Sequence, residues 1–435
     1  MIKKQLLIKM VENQISILLK SKKLWILLIL TFFVGLFFCL QHRFDGPNAL
    51  KADALGYHRM AIRLLNSGVY TGTYRAPGYP AFVTIVYSLF GEHPVAVFVF
   101  QALLFTSSVL LVALSFTLIT GQSKLGFAAA IAMALFPPFY LFMICELLTE
   151  TLALFLITLL IWLLLLTLQK TTWWKGITLA IVFSCVALTK AVILPFASAL
   201  ILLILFAKSP RYGISCVFAF IITLCIAMTP WTIRNYEVTG EFLPVSSGSG
   251  VAIWMGNYPE NYGRFQDVGR ASRFPYLPLK LENAVKGMSE VEQDKYLKNI
   301  AIGYIKEDPY RAGIIFLYKF SDSWLGNLGA DVGLWSKGRS PLLAIGSFAI
   351  PAQSLLLVPL FFLAVMGVFY TEADSLRKTL PILLLFFFWT SAYIVTISQG
   401  MRYMLPVYPY VLGFASIAII HIRSMILNHS FATKP

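Results

Sequence analysis

Apolar runs near the length that crosses a bilayer recur along almost the whole chain, and no other feature constrains its fold as much. A helix needs roughly 20 residues to span the hydrocarbon core. Lipid satisfies no backbone N–H or C=O, so each run must close its own hydrogen bonds. Ten or so spans can be drawn, over about 24–40, 94–119, 125–144, 147–169, 176–190, 193–207, 214–230, 345–370, 380–398 and 404–421. Composition agrees: 58% of the 435 residues are hydrophobic and 13% are charged, against about a quarter charged in an average soluble domain. The expected fold class is an all-α polytopic membrane protein of about ten or more transmembrane helices with a small external α/β subdomain.

Basic residues orient the spans. Lys22 and Lys23, Lys124, Lys170 and Lys175, Lys208 and Arg211, and Arg377 and Lys378 occupy every second short loop. The positive-inside rule makes those loops and both termini cytoplasmic. Residues 1–23 then form an amphipathic cytoplasmic or interfacial helix, with Lys3, Lys4, Lys9 and Lys20 set among apolar positions, and no cleavable signal peptide is evident. Residues 24–230 form a transmembrane core whose external loop is 41–93. An external subdomain covers 231–344, C-terminal spans cover 345–421, and a cytoplasmic tail covers 422–435. The net charge of +15 belongs to orientation and anionic lipid rather than to nucleic acid. Cys39, Cys145, Cys185, Cys216 and Cys225 lie singly in or beside apolar runs. They read as packing residues, with no disulfide framework or metal spacing.

The two external segments have internal structure. Ala54 to Asn66 is helix-compatible, Gly68, Gly72 and Pro77-Gly78 mark turns, and Ala81 to Phe90 is apolar but too short to span. Phe242 to Met255 reads as strand-turn-strand. Its glycines lack the strand–GxxxxGK[ST]–helix context of a phosphate loop. Ser289-Glu290-Val291-Glu292 matches a capping box before an amphipathic helix that Asp308-Pro309 ends.

Acids and bases collect at one membrane face. Asp53 follows the first span in Lys51-Ala52-Asp53-Ala54-Leu55-Gly56-Tyr57-His58. It can cap the helix that follows, act as a general base, or both. Glu146 and Glu150, four apart at an external hairpin, share a face if the helix includes both. Glu150 lies deeper and must be paired, protonated or beside a wet cavity; it could equally fix helix packing. Lys190 and Arg402 are cations at two other external tips. They suit a bilayer-facing phosphate or simple snorkelling to headgroups. Arg75 is a further candidate for the phosphate. Tyr57, His58, Glu150 and Tyr403 complete the expected substrate pocket, although Tyr403 also fits an interfacial aromatic belt. His58 has no second histidine or acid at ligand spacing, so no residue is assigned to a metal.

Six short stretches resemble the polytopic GT-C glycosyltransferases that use polyprenyl-phosphate sugars, more narrowly the bacterial protein-mannosyltransferase and aminoarabinose-transferase relatives. They are Ala52-Asp53-Ala54-Leu55-Gly56-Tyr57, Tyr74-Arg75-Ala76-Pro77-Gly78-Tyr79-Pro80, Glu146-Leu147-Leu148-Thr149-Glu150-Thr151, Thr229-Pro230-Trp231-Thr232-Ile233-Arg234-Asn235-Tyr236, Glu307-Asp308-Pro309 and Met401-Arg402-Tyr403-Met404-Leu405-Pro406. Ala76 stands where proline is frequent among the relatives. The resemblance implies inverting transfer from a polyprenyl-phosphate sugar to a hydroxyl of a glycan, lipid or protein, at the periplasmic face of a bacterial inner membrane. Asp53 takes the place of the catalytic base, Glu146 that of a second functional acid. Arg402, with Lys190 and Arg75, would meet the donor phosphate. No organic cofactor is implied, and participation of a divalent metal is left open. A transporter or lipid-carrier flippase is the alternative, since intramembrane charges also mark translocation paths, though no internal repeat is visible.

Overall fold

The computed structural model describes residues 2–41, 50, 52–207, 210–259, 277–325, 357–371, 376–398 and 400–432. Lys51, Lys208, Gln399, residues 260–276 and 326–344 of the external segment, and the first part of the expected span 345–370 lie outside them.

Among the described residues six helices are long and apolar enough to cross a membrane. The amphipathic start is helix α1 (Ile2–Lys20), and a turn at Ser21 leads into α2 (Lys22–Gln41). The connection after α2 folds as α3 (Ala52–Ser67) and α4 (Gly78–Phe90), which pack on each other. Next come α5 (Pro94–Thr120) and α6 (Ser123–Ala134), then α7 (Thr149–Gln169), α8 (Trp173–Thr189), α9 (Phe196–Leu205) and α10 (Pro210–Thr239). The segment after α10 contributes α11 (Ser249–Asn257), α12 (Leu279–Val285), α13 (Glu290–Glu307) and α14 (Pro309–Leu325). The chain returns through α15 (Leu357–Phe369), α16 (Leu376–Val395) and α17 (Tyr408–Ala432). Helix α5 packs against α6 and α7, α8 against α10, and α17 against α6.

Three expectations change. The stretch 242–255 is not strand-turn-strand: loop 240–248 leads into α11, which packs on α13, and no β-strand occurs among the described residues, so the segment expected to be an α/β subdomain is helical there. Burial of Val251, Trp254 and Met255 against Leu297 and Ala301 of α13 and Ile397 just after α16 outweighs local strand preference. The expected span 125–144 is a broken element: α6 stops at Ala134 before Pro137-Pro138, and the chain continues as a π-helical turn over Tyr140–Ile144. Glu146 therefore precedes α7, with Leu148 extended before it, and does not share a helix face with Glu150. The span drawn to residue 230 instead runs through Pro230 to Thr239. The capping box at Ser289 forms as expected, with Ser289 Oγ accepting from Glu292 N and Glu292 Oε2 accepting from Ser289 N.

Candidate active site

The charged residues of four separate interhelical connections meet in one cluster. Asp53, in the first turn of α3, does not use its side chain as a helix cap. Its Oδ1 accepts from Arg75 Nη2 at 2.7 Å, and its Oδ2 from Arg402 Nη2 at 3.5 Å. Glu150, in the first turn of α7, is fully buried, and its Oε1 accepts from both Arg402 Nε at 3.1 Å and Lys190 Nζ at 3.2 Å. Arg402 thus bridges the two carboxylates with different edges of its planar guanidinium. A fully buried carboxylate persists only if such partners accompany it; removing one partner of a buried pair costs roughly 3–5 kcal/mol.

Aromatic rings wall this cluster. Arg75 lies over the Tyr57 ring at 4.5 Å, Lys190 over the Tyr403 ring at 5.1 Å, and Tyr403 stacks on Tyr393 at 4.6 Å. Cation–π contacts and ion pairing hold the cations together. Gly56 makes the arrangement sterically feasible: a Cβ there would sit 3.1 Å from Arg75 Nη2.

Burial raises the Asp53 carboxyl, but the charges and hydrogen bonds of Arg75 and Arg402 outweigh it and hold the carboxyl below its ordinary value. The side chain keeps 41% of its surface exposed, so it stays open to an incoming molecule. Arg75 and Arg402 are in turn raised, despite the opposing effect of burial, by Tyr57 and Asp53 and by Glu150 and Asp53 respectively.

Two expected residues lie elsewhere. His58 turns into the interface between α3 and α4, where Nδ1 pairs with Tyr87 Oη at 2.8 Å and burial lowers its imidazole, keeping it neutral. Glu146 is buried beside the cluster, and its main-chain carbonyl accepts from Gln101 Nε2 at 2.9 Å. Gln101 Oε1 accepts from Tyr79 Oη at 2.7 Å, and the Tyr79 ring meets Tyr57 edge-on at 5.0 Å. Among the described residues no group of three or more His, Cys, Asp or Glu side chains gathers as a metal site.

The residues that hold the two arginine loops escape sequence reasoning. Glu290, at the start of α13, accepts on Oε2 from Thr73 N at 2.6 Å, Thr73 Oγ1 at 3.0 Å and Tyr74 N at 3.1 Å, and so anchors the strip that leads into Arg75. Arg234, on the extension of α10 past Pro230, donates to the carbonyls of Gly72 and Tyr70. Asp322 on α14 accepts from Ser398 Oγ at 2.7 Å and Gly400 N at 3.2 Å, anchoring the strip before Arg402. Buried Lys319, one turn earlier, donates to Thr396 O at 3.0 Å, and burial pushes its ammonium down to about 7. Arg234 sits in a stretch quoted for the resemblance, and Gln101 is a lone amide in an apolar run; both signals were available. Glu290 and Asp322 look like ordinary surface acids in sequence.

Glu290→Gln keeps the shape but removes the charge that two backbone amides share. Charge-assisted hydrogen bonds are worth about 1.5–3 kcal/mol each. The expected loss is about ten- to a hundredfold in kcat/KM for the reaction at this site. A Glu290→Gln protein with parental kcat/KM would show that the Arg75 loop holds itself.

Residues 74–233 match the family model described as dolichyl-phosphate-mannose-protein mannosyltransferase, a stretch that takes in Arg75, Glu146, Glu150 and Lys190 and leaves Asp53 and Arg402 outside. No curated protein matches the chain. Among solved structures, the apo oligosaccharyltransferase of Archaeoglobus fulgidus superposes with a TM-score of 0.51 at 11% identity, over 94% of this chain and 52% of its own. The Archaeoglobus fulgidus oligosaccharyltransferase AglB, solved with an inhibitory peptide and a dolichol-phosphate, gives 0.47 at 11% identity over 94% and 52%. ArnT from Cupriavidus metallidurans, solved with undecaprenyl phosphate, gives 0.41 at 12% identity over 92% and 78%. The chain spans about half the length of the oligosaccharyltransferase structures, and the likeness is one of fold.

Fold and site together define a multi-pass, all-α membrane protein with an ion cluster gathered from several interhelical connections. Residues 74–233 are similar to the mannosyltransferase family model, and the chain shares its fold with the oligosaccharyltransferase of Archaeoglobus fulgidus.

Proposed function

We propose that the protein is an inverting glycosyltransferase that moves a sugar from a polyprenyl-phosphate donor to a hydroxyl acceptor at the external, periplasmic face of a bacterial inner membrane. The observation that carries the reading is the meeting of Asp53 with Arg402, 349 positions apart in sequence, in one half-open cluster.

In this reading Asp53 is the general base. It takes the proton of the acceptor hydroxyl as that oxygen attacks the anomeric carbon. The bond from the anomeric carbon to the phosphate oxygen breaks on the opposite side, inverting the centre. The polyprenyl phosphate leaves with a negative charge that Arg402 and Lys190, with Arg75 at the rim, stabilise. The donor phosphate competes with Asp53 for Arg402, so donor binding frees the carboxylate that must accept the proton. Glu150 holds Arg402 and Lys190 in register, and Tyr57 and Tyr403 line the sugar position. Glu146 stays in the turn below as a second acid.

The family model's description names a dolichyl-phosphate sugar, which supports a polyprenyl-phosphate donor. The direct test is transfer of radiolabelled sugar from polyprenyl-phosphate donors by purified protein in lipid nanodiscs. Release of polyprenyl phosphate coupled to label on a hydroxyl acceptor is the expected result. Transbilayer movement of the intact donor without cleavage would replace this reading with a flippase.

Orientation has its own check. Tyr310, at the start of α14, is 81% exposed. A Tyr310→Cys variant should react in intact cells with a maleimide that crosses the outer but not the inner membrane. Protection until the cells are lysed would place this end of the helices in the cytoplasm.

A further inference from the structure

Cys39 and Cys145 come from elements 106 positions apart, yet their Sγ atoms lie 3.0 Å from each other. That is closer than two sulfurs sit in ordinary packing. Both side chains are buried, at 8% and 2% exposure. The approach is built rather than incidental. On α2 one face at helical spacing, Leu28, Thr31 and Cys39, is buried while its neighbours are largely exposed. Gly35, one turn before Cys39, lets α2 close on the partner: a Cβ there would meet Ala102 Cβ at 3.3 Å and Ile144 at 3.5 Å. Cys145 is held from its own side. Gln101 Nε2 donates to the carbonyls of Ile144 at 2.7 Å and Glu146 at 2.9 Å, on both sides of the cysteine.

We infer that Cys39 and Cys145 form a disulfide in the mature protein, which ties the outer end of α2 to the turn that carries Glu146. The inference rests on the proposed orientation, because only the external compartment sustains disulfides. Formation is thiol–disulfide exchange with a protein or small-molecule disulfide. One cysteine thiolate attacks that disulfide and expels a thiolate, giving a mixed disulfide. The second cysteine thiolate attacks the first cysteine's sulfur and expels the remaining thiolate. The protein loses two protons and two electrons, and the oxidant becomes two thiols. Burial in the folded state places the exchange during membrane assembly, before α2 closes on the turn. The bond would close a long loop, which constrains the unfolded chain strongly in the chain-entropy description.

The test is peptide mapping of protein isolated from cells, acid-quenched, alkylated with N-ethylmaleimide in denaturant and digested without reductant. The expected result is a linked Cys39–Cys145 peptide pair that reduction separates, with Cys185, Cys216 and Cys225 alkylated. Reduction should also lower the unfolding temperature by several degrees, and the Cys39→Ser/Cys145→Ser double variant should lose that response to reductant. Alkylation of both cysteines, even after the purified protein is treated with diamide, would overturn the pairing itself. A link formed only with added diamide would overturn the native bond while sustaining the geometry. In that event the Tyr310→Cys labelling decides whether the orientation is at fault. A link from Cys145 to another cysteine would also overturn the inference.

Discussion

Asp53→Asn lowers the turnover of sugar transfer by about a hundred- to ten-thousandfold, the range that a positioned general base contributes, while donor affinity stays within a few-fold. Asparagine keeps the shape and can still meet Arg75 and Arg402 through its amide oxygen. It cannot take a proton from the acceptor. Full turnover by Asp53→Asn, with the right donor and acceptor, would remove Asp53 from the base role.

The pH dependence follows from the same pair of arginines. In the free protein they hold the Asp53 carboxyl below its ordinary value of about 3.9. Being depressed in the fold, this group contributes stability above its unfolded pKa, and that contribution is lost as pH falls through its folded pKa. Activity on the free-protein limb should likewise persist to pH values below the ordinary carboxylate range. Once the donor phosphate occupies Arg402 the carboxylate loses part of its charge support, and its pKa rises. The acid limb of kcat, which reports the donor complex, should therefore lie at higher pH than that of kcat/KM, which reports the free protein. Coincident limbs in steady-state profiles would contradict the exchange of Arg402 between Asp53 and phosphate.

Arg402→Ala has the second large effect. It withdraws one guanidinium from the donor phosphate and leaves fully buried Glu150 with Lys190 as its remaining charged contact in the cluster. Truncating one partner of a buried, hydrogen-bonded charge pair costs about 2–5 kcal/mol, so donor affinity should fall at least about thirtyfold. Arg402→Lys should recover only part of it, because an ammonium cannot span both carboxylates as a planar fork does. Donor dissociation constants measured directly with a polyprenyl-phosphate analogue, beside thermal unfolding, separate binding from folding. An Arg402→Ala protein with parental donor affinity would end the phosphate assignment.

Much of this site is legible before any coordinates. Apolar runs of spanning length and alternating basic loops bring Asp53, Glu150, Lys190 and Arg402 to one end of the helices, and the ion pairs are the close-range form of that convergence. The capping box at Ser289 is a local hydrogen-bond device, and local devices survive folding. What is not legible is tertiary. Val251, Trp254 and Met255 follow a helix because α13 offers an apolar surface to bury them. Glu290 and Asp322 are unremarkable acids until the chain sets backbone amides of distant loops against them. Cys39 and Cys145 read as isolated packing residues because their adjacency depends on Gly35 and on the break after α6. His58 sits next to Tyr57 in sequence, but successive helix positions face about 100° apart, so it points into the α3–α4 interface.

The early stop of α6 also bears on biogenesis. Its 12 residues rise about 18 Å, well short of the roughly 30 Å hydrocarbon core. The π-helical turn over Tyr140–Ile144 and the turn that follows it toward α7 carry carbonyls that lipid cannot solvate. Gln101 on α5 receives those of Met143, Ile144 and Glu146, and Thr151 Oγ1 also donates to Met143 O. The α6–α7 hairpin therefore depends on α5 already lying alongside it. Synthesis from the N-terminus supplies α5 first, so the order of the genes' codons is also the order in which the membrane can accept the pieces. A leucine at position 101 would leave these carbonyls stranded at the moment of insertion, and the defect would surface as protein captured by membrane quality control rather than as a slow enzyme.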